Sequence, residues 1–235
     1  MSSRHAAIVL AAGSGTRMHS DIPKQYLDLR GKPVLYYSLK ALEESFVDDI
    51  VLVTGVGWQE YCQNEIVKKY GLKKVRSIVP GGAQRYDSVY RGLRETEGAD
   101  YIYIHDGARP FLTVQILENA RETAAAFGSA IAGMPVKDTI KIADENQYVK
   151  ETPLRSSVWQ VQTPQAFRRE LVVSAYRKLF ETGSFQGITD DAMVVEQMLE
   201  MPVKLFEASY ENIKITTPED LKVAEILMDD PAYGA

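Results

Sequence analysis

A chain of 235 residues, 45% hydrophobic and 25% charged, fits a single α/β domain with a sizeable core. Its formal net charge of -5 leaves no basic excess to neutralise a phosphate backbone, which excludes bulk nucleic-acid binding. No apolar run reaches membrane-spanning length, and residues 1–5 lead into the first strand without a signal peptide, so a cytoplasmic, reduced setting is expected.

In chain order, His5–Ala11 (HAAIVLA) reads as a buried strand, followed by a glycine-rich turn. Val34–Glu44 carries helix-spaced apolar residues, and 50–54 (IVLVT) is the next strand. The pattern repeats with a helix over 58–69, a strand over 75–79, a helix over 87–95 and a strand over 101–105 (YIYIH). Strand and helix in alternation predict a mostly parallel twisted sheet covered on both faces, a Rossmann-like α/β fold. Such sheets bind ligands beyond the carboxyl ends of their strands. The unusual sequences AAGSGTR, PGGAQRYDS and HDGARP all fall at those ends, which points to one composite site.

Residues 135–142 and 147–152 alternate around the acidic turn Asp144-Glu145-Asn146 and predict a hairpin projecting from the body and returning through 159–163. Helices are expected over 189–199 and 218–228. Thr217 would cap the second, with Pro218 at its first position and Glu219 and Asp220 in its first turn. No repeat or linker divides the chain, so 1–235 reads as one domain with 135–157 as an arm. The single cysteine, Cys62, can form no intrachain disulfide and has no companions for a thiolate metal site; a partly buried thiol is expected.

The turn after the first strand resembles a phosphate loop, but not the two best-known ones. A Walker loop needs G-x-x-x-x-G-K-S/T, whereas Gly15 is followed by Thr16 and Arg17. A dinucleotide fingerprint needs a third glycine where Met18 stands, and an acid where Val53-Thr54-Gly55 ends the second strand. The small residues Ala11, Ala12, Gly13, Ser14 and Gly15 still let backbone N–H groups approach an anion closely. Arg17 could fork across phosphate oxygens, and Lys24, stiffened by Pro23, could add a compact charge. Either cation alone could be a solvated surface residue; their place after a strand and a glycine turn favours the phosphate.

L-A-A-G-x-G-x-R-M followed by P-K-Q resembles nucleotidyltransferases that join a nucleoside triphosphate to a sugar or alditol phosphate. Gly81-Gly82-Ala83-Gln84-Arg85-Tyr86-Asp87-Ser88, His105-Asp106-Gly107-Ala108-Arg109-Pro110 and Pro135-Val136-Lys137-Asp138-Thr139 narrow the resemblance. So do Gln162-Thr163-Pro164-Gln165, Ile188-Thr189-Asp190-Asp191 and Asn212-Ile213-Lys214. In this order they are similar to the 2-C-methyl-D-erythritol 4-phosphate cytidylyltransferase family, over nearly the whole chain. The length leaves no room for the second enzyme domain of bifunctional relatives.

The resemblance implies attack by a sugar-phosphate oxygen on the α-phosphorus of CTP, releasing pyrophosphate. Because the attacking phosphate is already anionic, catalysis reduces to positioning and charge stabilisation. It implies Arg17 and Lys24 as stabilisers of the transition state, and Arg155 and Lys214 as the cations that hold the acceptor phosphate. Ala11, Ala12, Gly13, Ser14 and Gly15 would hold the triphosphate, and Gly82, Ala83 and Ser88 the cytosine. Ala83 stands where the family often has an acid, so only a backbone contact is open to it. Asp106, Arg109, Thr139 and Thr163 would bind the methylerythritol phosphate, although Asp106 could instead cap a turn. Asp190 and Asp191 could support the site from behind or cap a helix. His105 is expected to orient neighbours rather than shuttle protons. Mg2+ would arrive with CTP, without a dedicated protein cage, and the arm would exchange between subunits of a homodimer.

Two rivals stay open. Ribitol-5-phosphate cytidylyltransferases share the leading loop and differ in the acceptor, though Val136-Lys137-Asp138-Thr139 and Trp159-Gln160-Val161-Gln162-Thr163 resemble the methylerythritol enzymes more. A nucleotide-binding regulatory protein without chemistry would show erosion of Arg17, Lys24, Arg155 or Lys214, and all four are present.

Overall fold

The computed structural model describes residues 3–13, 15, 18, 22–230 and 233. Five strands make up the parallel frame, the first four of them expected from the sequence. They are β1 (His5–Ala11), β4 (Asp49–Thr54), β5 (Val75–Pro80), β6 (Tyr101–Asp106) and β7 (Ser129–Pro135). They join β10 (Trp159–Arg168) and β11 (Leu205–Glu207) in a seven-stranded sheet of order β11-β7-β10-β6-β1-β4-β5. β1 pairs in parallel with β4 and β6, β4 with β5, and β11 with β7. Only β10 runs against its neighbours, antiparallel to both β6 and β7.

Period-two alternation decides which helix each side chain meets. Ala7, Val9 and Ala11 of β1 pack in one core with Leu35, Leu39 and Leu42 of α1 (Val34–Glu44). That core also takes Ile116, Leu117 and Ala120 of α4 (Val114–Phe127), and Cys62 and Ile66 from the helix that begins as α2 (Gln59–Tyr61) and continues as a π-helix (Cys62–Lys68). Ala6 and Ile8 face the other side. There they meet α3 (Arg85–Arg94), α5 (Arg169–Thr182) and α6 (Asp191–Leu199) through Val89, Tyr176 and Val195. A third cluster seats α7 (Pro218–Leu227) beside the small hairpin of β2 (Asp28–Leu29) and β3 (Lys32–Pro33). Thr217 caps α7 in a capping box with Asp220, behind the proline at the helix start, as expected.

Two helices go beyond the sequence reading. α4 opens on the Thr113 hydroxyl, which accepts the Ile116 N–H at 3.2 Å, and closes on Gly128 with φ 84°. α5 closes on Gly183 with φ 67°. β10 likewise extends well past residue 163.

The hairpin requires a correction. The expected strand over 135–142 does not form: Pro135 is the last residue of β7, and pairing resumes only between β8 (Ile142–Ala143) and β9 (Val149–Glu151). Residues 137–139 are exposed on a segment with no face to bury, so polar–apolar alternation had nothing to pack against. Cys62 is a free thiol, as expected, but it is fully buried in the core rather than partly so.

Candidate active site

Three strand ends meet at one edge of the sheet. β1 runs out into Ala12 and Gly13, and β5 into residues 81–83 and the start of α3. β6 ends on Asp106, after which the Gly107 N–H returns to the Leu10 carbonyl at 2.9 Å. Parallel strands put all three carboxyl ends on the same side, and between them lies a cleft of about 410 Å³. Ala12, Gly13 and Lys24 line one wall; Gly82, Ala83 and Ser88 line another; Arg85, Asp106 and Lys214 close the third.

Local chemistry shapes each wall. Gly15 has φ 65°, and an added Cβ would lie 3.3 Å from Lys24 Cγ, so the turn and the lysine are packed together. On the second wall, the Ser88 hydroxyl accepts the Gly82 N–H at 3.0 Å and donates to the Gln84 carbonyl at 3.2 Å. Gln84 and Asp87 form a capping box at the start of α3. A Cβ on Gly82 would sit 2.1 Å from that of Asp87. Glycine is therefore needed there to fold the turn onto its own helix, a nearer reason than access for a base.

The third wall is a row of alternating charges. Asp191, with its side chain fully buried, takes a fork from Arg85 at 2.9 and 2.7 Å and the Tyr176 hydroxyl at 2.6 Å. Arg85 Nε lies 3.6 Å from one Asp106 oxygen, and the Lys214 ammonium lies 2.7 Å from the other. Burial alone would raise the Asp106 pKa; Arg85, Lys214 and Arg109 outweigh it and hold the carboxyl well below the usual range. For Arg109, burial lowers the pKa and Asp106 offsets part of the effect.

Beneath Asp106 lies a hydrogen-bonded floor. Its N–H donates to the Thr163 hydroxyl at 3.0 Å, and that hydroxyl lies 3.1 Å from His105 Nδ1. His105 Nε2 lies 3.2 Å from the Arg109 carbonyl, which can only accept. A neutral imidazole satisfies every contact, with Nε2 donating and Nδ1 accepting from Thr163. Burial supports that state by pushing the His105 pKa down to about 4. Arg109 donates to the Asn212 carbonyl at 2.7 Å, and the Asn212 amide donates to Gln162 Oε1 at 3.0 Å and the Thr163 carbonyl at 2.8 Å. This crosslink sets the segment leading to Lys214 against β10.

Of the residues singled out from sequence, Ala12, Gly13, Lys24, Gly82, Ala83, Ser88, Asp106 and Lys214 line this one cleft. Ala11 is buried at the end of β1, while Arg109 and Thr163 build the floor rather than line the opening. Arg155 and Thr139 are exposed on the arm and are not among the lining residues of their own chain's cleft; Arg155 donates to the Lys137 carbonyl at 3.3 Å. Arg17 and Ser14 lie outside the described residues. Sequence reasoning missed Arg85 and its fork on Asp191. The signal available was an arginine opening a helix at a strand's carboxyl end, with a second acid after the capping Asp190, whose Oδ1 accepts the Met193 N–H at 2.9 Å. Among the described residues no cluster of three or more His, Cys, Asp or Glu could hold a metal, and Asp106 is the single acid lining the cleft.

A glycine turn after β1, a packed lysine beside it and a second cation opposite, all at the carboxyl edge of a mostly parallel sheet, define a nucleotidyltransferase of the α/β class. The family model described as 2-C-methyl-D-erythritol 4-phosphate cytidylyltransferase matches residues 5–230. A protein of that name from Lachnospira eligens is 50% identical, with 95% of this chain and 99% of the relative covered. Another from Caldanaerobacter subterraneus is 47% identical over 95% of this chain and 98% of its own. The crystal structure of 4-diphosphocytidyl-2C-methyl-D-erythritol synthase from Anaerococcus prevotii superposes with a TM-score of 0.85 at 31% identity, covering 97% and 96% of the two chains. This chain belongs to the 2-C-methyl-D-erythritol 4-phosphate cytidylyltransferase family, and it is an enzyme of nucleotidyl transfer. Among the described residues no helix is long and apolar enough to cross a membrane.

Proposed function

We propose that this cleft joins CTP to 2-C-methyl-D-erythritol 4-phosphate, giving 4-diphosphocytidyl-2-C-methyl-D-erythritol and pyrophosphate. An oxygen of the acceptor phosphate forms the new bond to the α-phosphorus, and the bond from that phosphorus to the β-phosphate oxygen breaks. No proton need leave the nucleophile, which suits a site where His105 is buried and neutral. The observation that carries the reading is the convergence of Lys24 and Lys214 on one cleft from positions far apart in the chain. Two anionic reactants repel each other, and fixed cations between them offset that repulsion most where charge accumulates.

In this reading Lys24 and Arg17 stabilise the α-phosphate as it is attacked, and Lys214 holds the acceptor phosphate. Backbone N–H groups from Ala11 to Gly15 cradle the triphosphate, while Gly82, Ala83 and Ser88 meet the cytosine. Asp106, Arg109, Thr139 and Thr163 serve the acceptor. Mg2+ would arrive with the triphosphate and offset part of its charge; among the described residues Asp106, already shared by two cations, is the single acid lining the cleft.

The chain acts as a homodimer. Ile142, Tyr148, Val149 and Leu154 are 46%, 74%, 57% and 74% exposed on or beside the arm. A hairpin with strands of two and three residues is marginal alone. Exchange of arms would cover this surface and carry Arg155 and Thr139 to the partner's cleft, where Arg155 joins Lys214 on the acceptor phosphate. The cytoplasm, which supplies nucleoside triphosphates, is the compartment this reaction needs.

Pyrophosphate release by purified protein, with CTP and each acceptor in turn, tests the reading. Turnover with 2-C-methyl-D-erythritol 4-phosphate well above that with ribitol 5-phosphate is expected. The reverse order would reassign the acceptor, and tight CTP binding without turnover on either would point to a regulatory protein.

A further inference from the structure

We propose that Gln25 is a positioning residue for the transfer, clamping the glycine turn to the helical turn that carries Lys24. The inference rests on the triphosphate reading of the cleft and adds a residue to it. Gln25 is polar yet only 3% exposed. Its amide nitrogen donates to the Ala11 carbonyl at 2.7 Å and to the Gly13 carbonyl at 3.2 Å. A primary amide has two hydrogens, so one group can serve both acceptors. An anion-binding turn directs N–H groups at its ligand, and the carbonyls of the same peptides need donors elsewhere. Gln25 supplies them at the strand end and inside the turn together.

Its neighbours fix where that amide stands. Lys24–Tyr26 is one 3-10 turn, closed by the Tyr26 N–H on the Pro23 carbonyl at 2.9 Å. Tyr26 stacks on Trp58 with ring centroids 4.5 Å apart. The Tyr26 hydroxyl lies 3.4 Å from the Ala11 carbonyl and accepts the Cys62 thiol at 3.4 Å. Three consecutive residues thus divide the work: Lys24 enters the cleft against Gly15, Gln25 ties the loop, and Tyr26 anchors the turn in the core. The spacing between lysine and loop is held by side-chain hydrogen bonds, not by chain connectivity alone.

The test compares wild type, Gln25→Met, Lys24→Ala and the double variant in steady-state assays with CTP and 2-C-methyl-D-erythritol 4-phosphate, with melting temperatures measured in parallel. Methionine keeps the length and removes both donors. Displacing a reacting group by about 1 Å can cost on the order of a hundredfold, so Gln25→Met should lose about tenfold to a hundredfold in kcat with the acceptor KM nearly unchanged. On the Lys24→Ala background the same change should cost less than about twofold, because the group it positions is gone. Equal losses on both backgrounds, or none on either, would overturn the clamp. Should Gln25→Met melt below the assay temperature, Gln25→Asn keeps the amide one methylene short and must show the same non-additivity. If wild type itself does not turn over, the triphosphate reading is what fails; CTP titrations of the four proteins then decide the clamp by the same comparison.

Discussion

Lys24 and Lys214 approach the cleft from opposite walls, and their energetic signatures should differ from ordinary ligand contacts. A cation matched to charge that builds during attack contributes more to turnover than to ground-state binding. Lys24→Ala should lower kcat by about 10²–10³ while weakening CTP binding far less. Equal losses in both, measured by kinetics and calorimetry, would assign Lys24 to uniform binding. His105 makes a different prediction. Its pKa falls from 6.5 to about 4 on folding, so the unfolded chain takes up a proton first as pH drops. The stabilisation it gives is complete above pH 6.5 and is lost on acidification towards pH 4, by up to about 3 kcal/mol. Urea unfolding across that window should show the slope in wild type and a shallower one in His105→Gln. Much of this scale was legible in the sequence, since Gly82, Ser88, Asp106 and Lys214 stand in motifs. Arg85 was not, because its significance lies in a partner 106 positions away that only the fold brings near.

At the level of elements, the link between Arg85 and Asp191 joins α3 to α6 across one face of the sheet. Asp191 is wholly buried, so removing its counter-ion strands a charge where water cannot reach. Arg85→Ala should cost about 3–5 kcal/mol in unfolding free energy, and adding Asp191→Asn should recover part of the loss. Simple additivity of the two substitutions would show that the pair is not coupled. β1 with its unbroken apolar run, α1 with its helix-spaced apolar residues and α7 with its capping box agree with the sequence reading to within a residue. The segment over 135–142 misled because alternation signals a strand only where a sheet face awaits it. α4 and α5 escaped although their closing glycines, Gly128 and Gly183, were visible signals.

For the whole molecule, the proposed dimer rests on surface that the monomer leaves uncovered. Tyr148→Lys with Leu154→Lys should shift sedimentation from dimer to monomer and lower activity, since Arg155 would no longer reach a partner's cleft. A monomeric wild type would dispose of the dimer; an unchanged dimer in the variant would move the interface off the arm.

The lone reversed strand, β10, has a topological effect. β7 points towards the cleft edge and ends there at Pro135; β10, running the other way, starts there at Trp159. Whatever the chain inserts between them must emerge on the reactant side of the sheet and return to it. Had β10 run with its neighbours, that length would have been spent as a crossover along a face, adding to the scaffold. One change of direction turns this connection into a place where the chain can lengthen, shorten or retarget what overhangs the reaction while the buried layers keep their register.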